Sequence, residues 1–479
     1  MAGTNTYSIN FSNIQTPMFK QKLGLFMLTV CIFAACNKSS TNLNLPDPNV
    51  PKPVPSPISD KQVSSAIQGI IVDETNKPVT GATVKCGTLT ATTDANGSFL
   101  FDKVTVNEMA AVVTVQKPGY FNGIRTFRIA APDKLQYVQI QLLPKKALGI
   151  FDAVNGGAVS VANAQFTFVA KQVLGADNKP YSGKVSLMYA PVNPERPDFA
   201  DIMPGDLRAI NKNNVIMGLQ SFGMMALELQ SESGEKLYLD TSKSVTFKMT
   251  IPAGLQSLAP ATVPLWHFED SSRVWREDGS ATKAGDSYTG TLKYFSTWSP
   301  AAPFSVVNFR VTLQDANGTL LSNASLSIKG NSGRYSTGHT NENGVFSGHI
   351  VKGETLVLKV SGRCNTAADT RNIGPFTDST SLGVLRLNIP AAQYIHFSGA
   401  VTSCTNTPVK NGAVNIKIDG VDYRCSVTDG TYAIGILRCN TDNTTATIKV
   451  IDTAADKTAV ITMPVSTTTY VKDLVACED

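Results

Sequence analysis

Asn76-Lys77-Pro78-Val79-Thr80-Gly81-Ala82-Thr83-Val84, with Thr93-Asp94-Ala95-Asn96-Gly97-Ser98-Phe99 close behind it, decides the fold. Pro78 sets φ at a turn, Gly81 permits a tight re-entry, and Ala82 and Val84 alternate toward one face. Asn96-Gly97 lies between two alternating runs, a strong hairpin signal because both residues tolerate φ > 0. Upstream, residues 68–73 read as a strand. Downstream, residues 98–101, 111–116, 126–130 and 136–142 read as further strands. Short strands at regular spacing with turn signals between them predict a small β-sandwich.

The same words recur, which changes the reading of the whole chain. Asn178-Lys179-Pro180 echoes Asn76-Lys77-Pro78. Asn317-Gly318, Asn323-Ala324-Ser325-Leu326 and Asn343-Gly344-Val345-Phe346 repeat the pattern, as do Thr407-Pro408-Val409 and Thr428-Asp429-Gly430. The chain therefore reads as β modules in series: 66–144, a larger region 145–303, then 304–392 and 393–479. The predicted fold class is all-β, tandem small β-sandwich modules with a larger all-β central region.

Gly69, Pro78, Val79, Gly81, Ala82, Val84, Thr93, Gly97 and Phe99, with Lys117-Pro118-Gly119-Tyr120 at a later turn, resemble the carboxypeptidase regulatory-like modules, a transthyretin-like or Ig-like sandwich. The metallopeptidase named in that family is not implied here. His267, His339, His349 and His396 are scattered, with no H-E-x-x-H, and neither a G-x-S-x-G elbow nor a P-loop occurs. In the central region, Met203-Pro204-Gly205-Asp206-Leu207, Pro264-Leu265-Trp266-His267-Phe268-Glu269 and Phe295-Ser296-Thr297-Trp298 resemble the middle ectodomain of the astroprincin family, over roughly residues 165–298. That resemblance implies architecture and carries no catalytic residues.

At the other end, Leu23 to Cys36, LGLFMLTVCIFAAC, follows Lys20 and Lys22 and ends in a small-small-Cys step. This is a charged, then apolar, then small-residue leader, too short for a bilayer of about 30 Å. It resembles the lipobox of bacterial lipoproteins, with Phe33 in place of the usual Leu. The resemblance implies lipidation at Cys36, residues 1–35 as signal peptide and membrane attachment through the N-terminal lipid. Either Met1 or Met18 is compatible as the start. Pro46, Pro48, Pro51, Pro53, Pro55 and Pro57 make residues 36–65 a polyproline-like tether. The expected location is the outer membrane, with the side the modules face left open.

Charged residues are 16% of the chain and the net charge is +5, without a basic run, so no nucleic acid is expected as a partner. Export permits disulfides. Cys404, Cys425, Cys439 and Cys477 share the last module, and four cysteines allow three pairings. Cys404–Cys477 and Cys425–Cys439 are favoured, because the first pair closes the module's two end strands and the second flanks one hairpin. Cys86 and Cys364 stand alone in distant modules and read as thiols. No cofactor or metal site is indicated.

The expected function is non-catalytic binding or scaffolding at the cell envelope, with a glycan or envelope protein as partner. Trp266, Trp275 and Trp298 are candidates for a carbohydrate platform if they are exposed, and core residues if they are not. A hydrolase is the competing class. It would use Glu269 or Glu277, from the cluster Glu269, Asp270, Glu277 and Asp278, and needs two carboxylates about 5–10 Å apart across a cleft.

Overall fold

Strand β1 (Gln62–Val72) is the axis of the first module. The computed structural model describes residues 57–479 apart from 96, 133, 197, 270–272, 363–366, 390–393, 439–443, 453, 456 and 479. Cys36 and the rest of the leader lie outside the described residues. Residues 62–65, read above as the end of the tether, are already strand, paired with residues 104–107.

The module adds β2 (Thr83–Cys86), β3 (Leu89–Thr92), β4 (Ser98–Asn107), β5 (Ala111–Gln116), β6 (Gly123–Phe127) and β7 (Leu135–Gln141). β1 pairs antiparallel with β4 and parallel with β7. β2 pairs with β3 and β5, and β5 with β6. Between these two sheets Ile67, Ile71, Val84, Phe99, Val113 and Val138 form the core.

The third module repeats this topology. Val306–Gln314 pairs antiparallel with Val345–Val351 and parallel with Thr380–Arg386. Ser325–Gly330 lies between Tyr335–His339 and Leu356–Ser361. The fourth repeats it again, with Tyr394–Ser403 antiparallel to Thr431–Leu437 and parallel to Leu474–Ala476. The central region differs: fourteen strands form one branched sheet around Phe166, Phe247, Tyr288 and Trp298.

One turn is common to all four. Asp73 N donates to Lys77 O and Asn76 N to Asp73 O. The same pair of bonds recurs at Gly175/Lys179 and Asn178, at Asp315/Thr319 and Gly318, and at Ser403/Thr407 and Asn406. Each turn closes on an isolated bridge: Val72 with Pro78, Leu174 with Pro180, Gln314 with Leu320, Thr402 with Pro408. Asn76, Asn178 and Asn406 hold φ near +60°, which asparagine tolerates.

A second local device joins the two sheets in the first and third modules. Thr93 Oγ1 donates to Val79 O at 2.6 Å and accepts from Ala82 N at 2.9 Å. Thr340 Oγ1 does the same with Leu321 O and Ala324 N. Both threonines are buried. Thr93→Val keeps the shape but leaves a buried N–H unpaired, so urea denaturation should show a loss of about 1–3 kcal/mol. An unchanged midpoint would show that the hydroxyl is dispensable.

Residues 57–479 belong to one compact unit. The modules, in series along the chain, therefore pack against one another. Apolar groups join them, as where Ile124, Leu143 and Tyr335 pack against the Trp266 and Trp275 core, and so do single polar residues.

Candidate functional site

The three tryptophans are core residues. Trp266, Trp275 and Trp298 are each at most 1% exposed. Their indole N–H groups donate to Ala301 O at 3.0 Å, Pro204 O at 3.1 Å and Tyr294 O at 3.2 Å. A buried indole needs such a partner, and with one it packs as a large apolar group. The rings are enclosed, as the core alternative has it, and offer no face to a carbohydrate.

The carboxylate pair fails for a different reason, the register of one hairpin. Thr262–Glu269 pairs with Val274–Ala284 so that Trp266 faces Glu277 and Glu269 faces Val274. Alternation puts Glu269 on the face of His267 and Arg276, and Glu277 on the opposite face. Glu269 is buried and accepts from Arg276 Nε at 3.3 Å. Glu277 accepts from Lys212 N at 3.1 Å. The two do not flank a common cleft, and Asp270 lies outside the described residues. His267, between Tyr294 and Trp298, is held down to about 4 by burial, which outweighs Asp278 and Glu269. Among the described residues no group of three or more His, Cys, Asp or Glu is placed to hold a metal.

Cys404 and Cys477 form a disulfide that ties the end of the first strand of the last module to its last strand. Cys425 is a free, buried thiol, so a Cys425–Cys439 bond is not made. Its strand turns Cys425 into the core beside Ile434 and Val450, and burial pushes the thiol up to about 12. Cys439 lies outside the described residues. Cys86 is likewise free and pushed up to about 12 by burial; Cys364 lies outside the described residues.

The polar groups that do converge sit between modules. Arg125 Nη1 donates to Ala200 O, and Arg208 Nη1 to Met109 O. Arg310 Nη1 donates to Ala130 O, and Arg128 Nη1 to Asn308 Oδ1 at 2.7 Å. Arg424, buried, bonds Asp102 at 2.7 Å. Glu342, on a turn of the third module, accepts from Leu135 N of the first module at 3.0 Å. Its other oxygen accepts from Ser426 N and Ser426 Oγ of the fourth, at 3.0 and 2.8 Å. Glu342→Ala should lower stability by about 2 kcal/mol, since hydrogen bonds to a charged group are among the stronger ones. Broadening of the urea transition would accompany it. A midpoint and slope like those of the parent would show that the turn is not a joint.

A cavity of about 90 Å³ lies where the first, central and third modules meet, lined by Arg125, Arg128, Arg208, Asp206, His339 and His349. His339 Nε2 is 3.6 Å from Asp201 Oδ1. Burial, then the charges of Arg208 and Arg128, push His349 down to about 3. A groove of about 700 Å³ between the first and third modules shares Arg128, Ala130 and Ser347 with the cavity wall. Burial and the adjacent Arg208 pull Arg128 down to about 10. Sequence reading missed these groups. Each is a lone residue on a strand or turn, and only packing brings them together.

Residues 66–143 match the carboxypeptidase regulatory-like domain family. Cartilage intermediate layer protein 2 of Mus musculus is 23% identical over 205 residues, covering 40% of this chain and 17% of that protein. The Homo sapiens protein is 24% identical over 172 residues, covering 35% and 14%. The chain thus spans less than a fifth of the length of the curated relatives it matches. Among solved structures, the shaft pilin SpaA from Lactobacillus rhamnosus GG shares 9% identity, with 36% of this chain and 98% of that one covered and a TM-score of 0.18. BcpA, the major pilin subunit of Bacillus cereus, shares 12%, with 68% and 100% covered and a TM-score of 0.15. No common fold follows at such scores. The matching residues 66–143 line one side of the groove and supply Arg128.

Proposed function

We propose that this chain is a non-catalytic scaffold of the cell envelope, anchored to the outer membrane by lipid on Cys36 and carrying its modules as one block. The observation that supports it best is the set of cross-module bonds made by Arg125, Arg128, Arg208, Arg310, Arg424 and Glu342. Separate binding modules on a flexible string have no use for buried arginines reaching into a neighbour. Joined modules keep a fixed spacing between surfaces, which is what a scaffold needs. Among the described residues no helix is long and apolar enough to cross a membrane. The leader's small-small-Cys step supports the lipid, and the likeness of residues 165–298 to the astroprincin ectodomain fits an architectural role. A glycan or envelope protein is the partner this reading implies.

Two measurements test it. Cys36→Ser should release the protein from the membrane fraction, and its retention there would end the lipid-anchor reading. Unfolding of the full chain in detergent should follow one cooperative transition by both tryptophan fluorescence and circular dichroism. Resolved, independent transitions for the modules would mean that the block does not exist.

A further inference from the structure

Arg128 and Arg310 approach the same groove from two modules. Arg128 follows β6, and Arg310 projects from Val306–Gln314. The charges of Arg208 and Arg310 both disfavour a charge on Arg128. Arg208 is held by Asp206 at 2.6 Å. Among the described residues no carboxylate lies within ion-pair distance of Arg128 or Arg310; Asp206 and Glu108 act on Arg128 from further away. Glu108 is itself engaged by Lys61 at 3.0 Å. Crowded like charges in a half-buried groove are costly unless an anion joins them.

The rest of the lining is hydroxyl-rich. Ser347 stands on the wall shared with the inner cavity, and Ser379, Thr380 and Ser381 form another wall. Asn308 connects the two chemistries: it accepts from Arg128 and donates through Nδ2 to Ser379 Oγ at 3.2 Å. A groove of about 700 Å³ falls within the range of small-molecule sites. Guanidinium forks match the paired oxygens of a carboxylate or phosphate. Serine, threonine and asparagine around them match a polyol.

We propose that this groove binds an oxyanion group, carboxylate or phosphate, carried on a hydroxylated ligand of sugar size, with Arg128 and Arg310 gripping the anion. The site lies between two modules, so a ligand there would also bridge them. The inference does not depend on the lipid anchor, and its readout is separate from that of the scaffold reading, which rests on cooperative unfolding.

Isothermal titration calorimetry on the full chain in detergent tests it, with D-galacturonate, inorganic phosphate and D-galactose as probes. Galacturonate or phosphate should bind, galactose should not, and added salt should weaken the binding. Binding of galacturonate alone assigns an acidic sugar, and binding of phosphate alone assigns a phosphate; either supports the site. Arg310→Gln should weaken the bound anion about tenfold, the loss of one charge-assisted contact. Arg310→Lys, which keeps the charge and loses the fork, should fall between. Arg310 also donates to Ala130 O, so each variant's melting temperature is measured beside its affinity, and binding is read well below that temperature. Arg128→Gln is the second variant. The proposal is overturned if neither anion binds, if galactose binds as tightly as galacturonate, or if both glutamine variants bind like the parent.

Discussion

Trp298→Ala should destabilise the protein by about 3–5 kcal/mol, the range for removing a fully enclosed large aromatic side chain. The ring stands 5.1 Å from Tyr294 and 5.3 Å from His267, centroid to centroid. Its N–H holds the Tyr294 carbonyl. Truncation would open a cavity in the core of the largest module and leave that carbonyl without its donor. Trp298→Phe keeps much of the packing and should lose less, about 1–3 kcal/mol, mostly for the unpaired carbonyl and the volume deficit. Urea midpoints of the two variants give the ordering. A surface platform would behave oppositely, with affinity for a sugar lost and the midpoint unmoved. A Trp298→Ala protein as stable as the parent would contradict its burial.

The contrast between the tryptophans and the repeated turn shows which parts of the fold were legible in the sequence. The turn ending at Pro78 is local chemistry. Within a few residues, an αL-tolerant asparagine, a proline and a returning strand specify the backbone, so the same words at Asn178 and Asn406 specify the same turn. The all-β class and the repeated module follow from that. Strand register is less local. Glu269 and Glu277 look like a pair when counted along the chain, and only the hairpin register sends them to opposite faces. The disulfides divide in the same way. Cys404 and Cys477 end strands that lie side by side in parallel, and they are bonded. The inward turn of Cys425 depends on which face of its strand meets the core. Least legible were the joints. Glu342 and Arg128 look like ordinary surface charges in sequence, and their partners lie up to hundreds of positions away.

The packing that hides those joints also makes the protein sensitive to acid. His267 and His349 are held down to about 4 and about 3, against an ordinary value near 6.5. Around His349 the charged neighbours are Arg208 and Arg128, both of which oppose a further positive charge. Around His267 burial dominates; Asp278 and Glu269 favour the charge and Arg276 opposes it. His396 is also lowered by burial, with Asp315 working against the shift. A histidine lowered in the folded state takes its proton first in the unfolded chain. Its contribution to stability is therefore complete above about pH 6.5 and is lost as the pH falls from there toward the folded value. Each such group gives a slope of about 1.4 kcal/mol per pH unit, so His267 and His349 together approach about 3. Unfolded carboxylates stay mostly ionised until about pH 4.5, which leaves the window between about 6.5 and 4.5 to the histidines. Urea denaturation across that window should show stability falling steadily with acid. His349→Gln should remove roughly half of the slope, because glutamine fills the site without titrating. A flat profile in the parent, or an undiminished slope in His349→Gln, would show that the junction admits a proton at no cost.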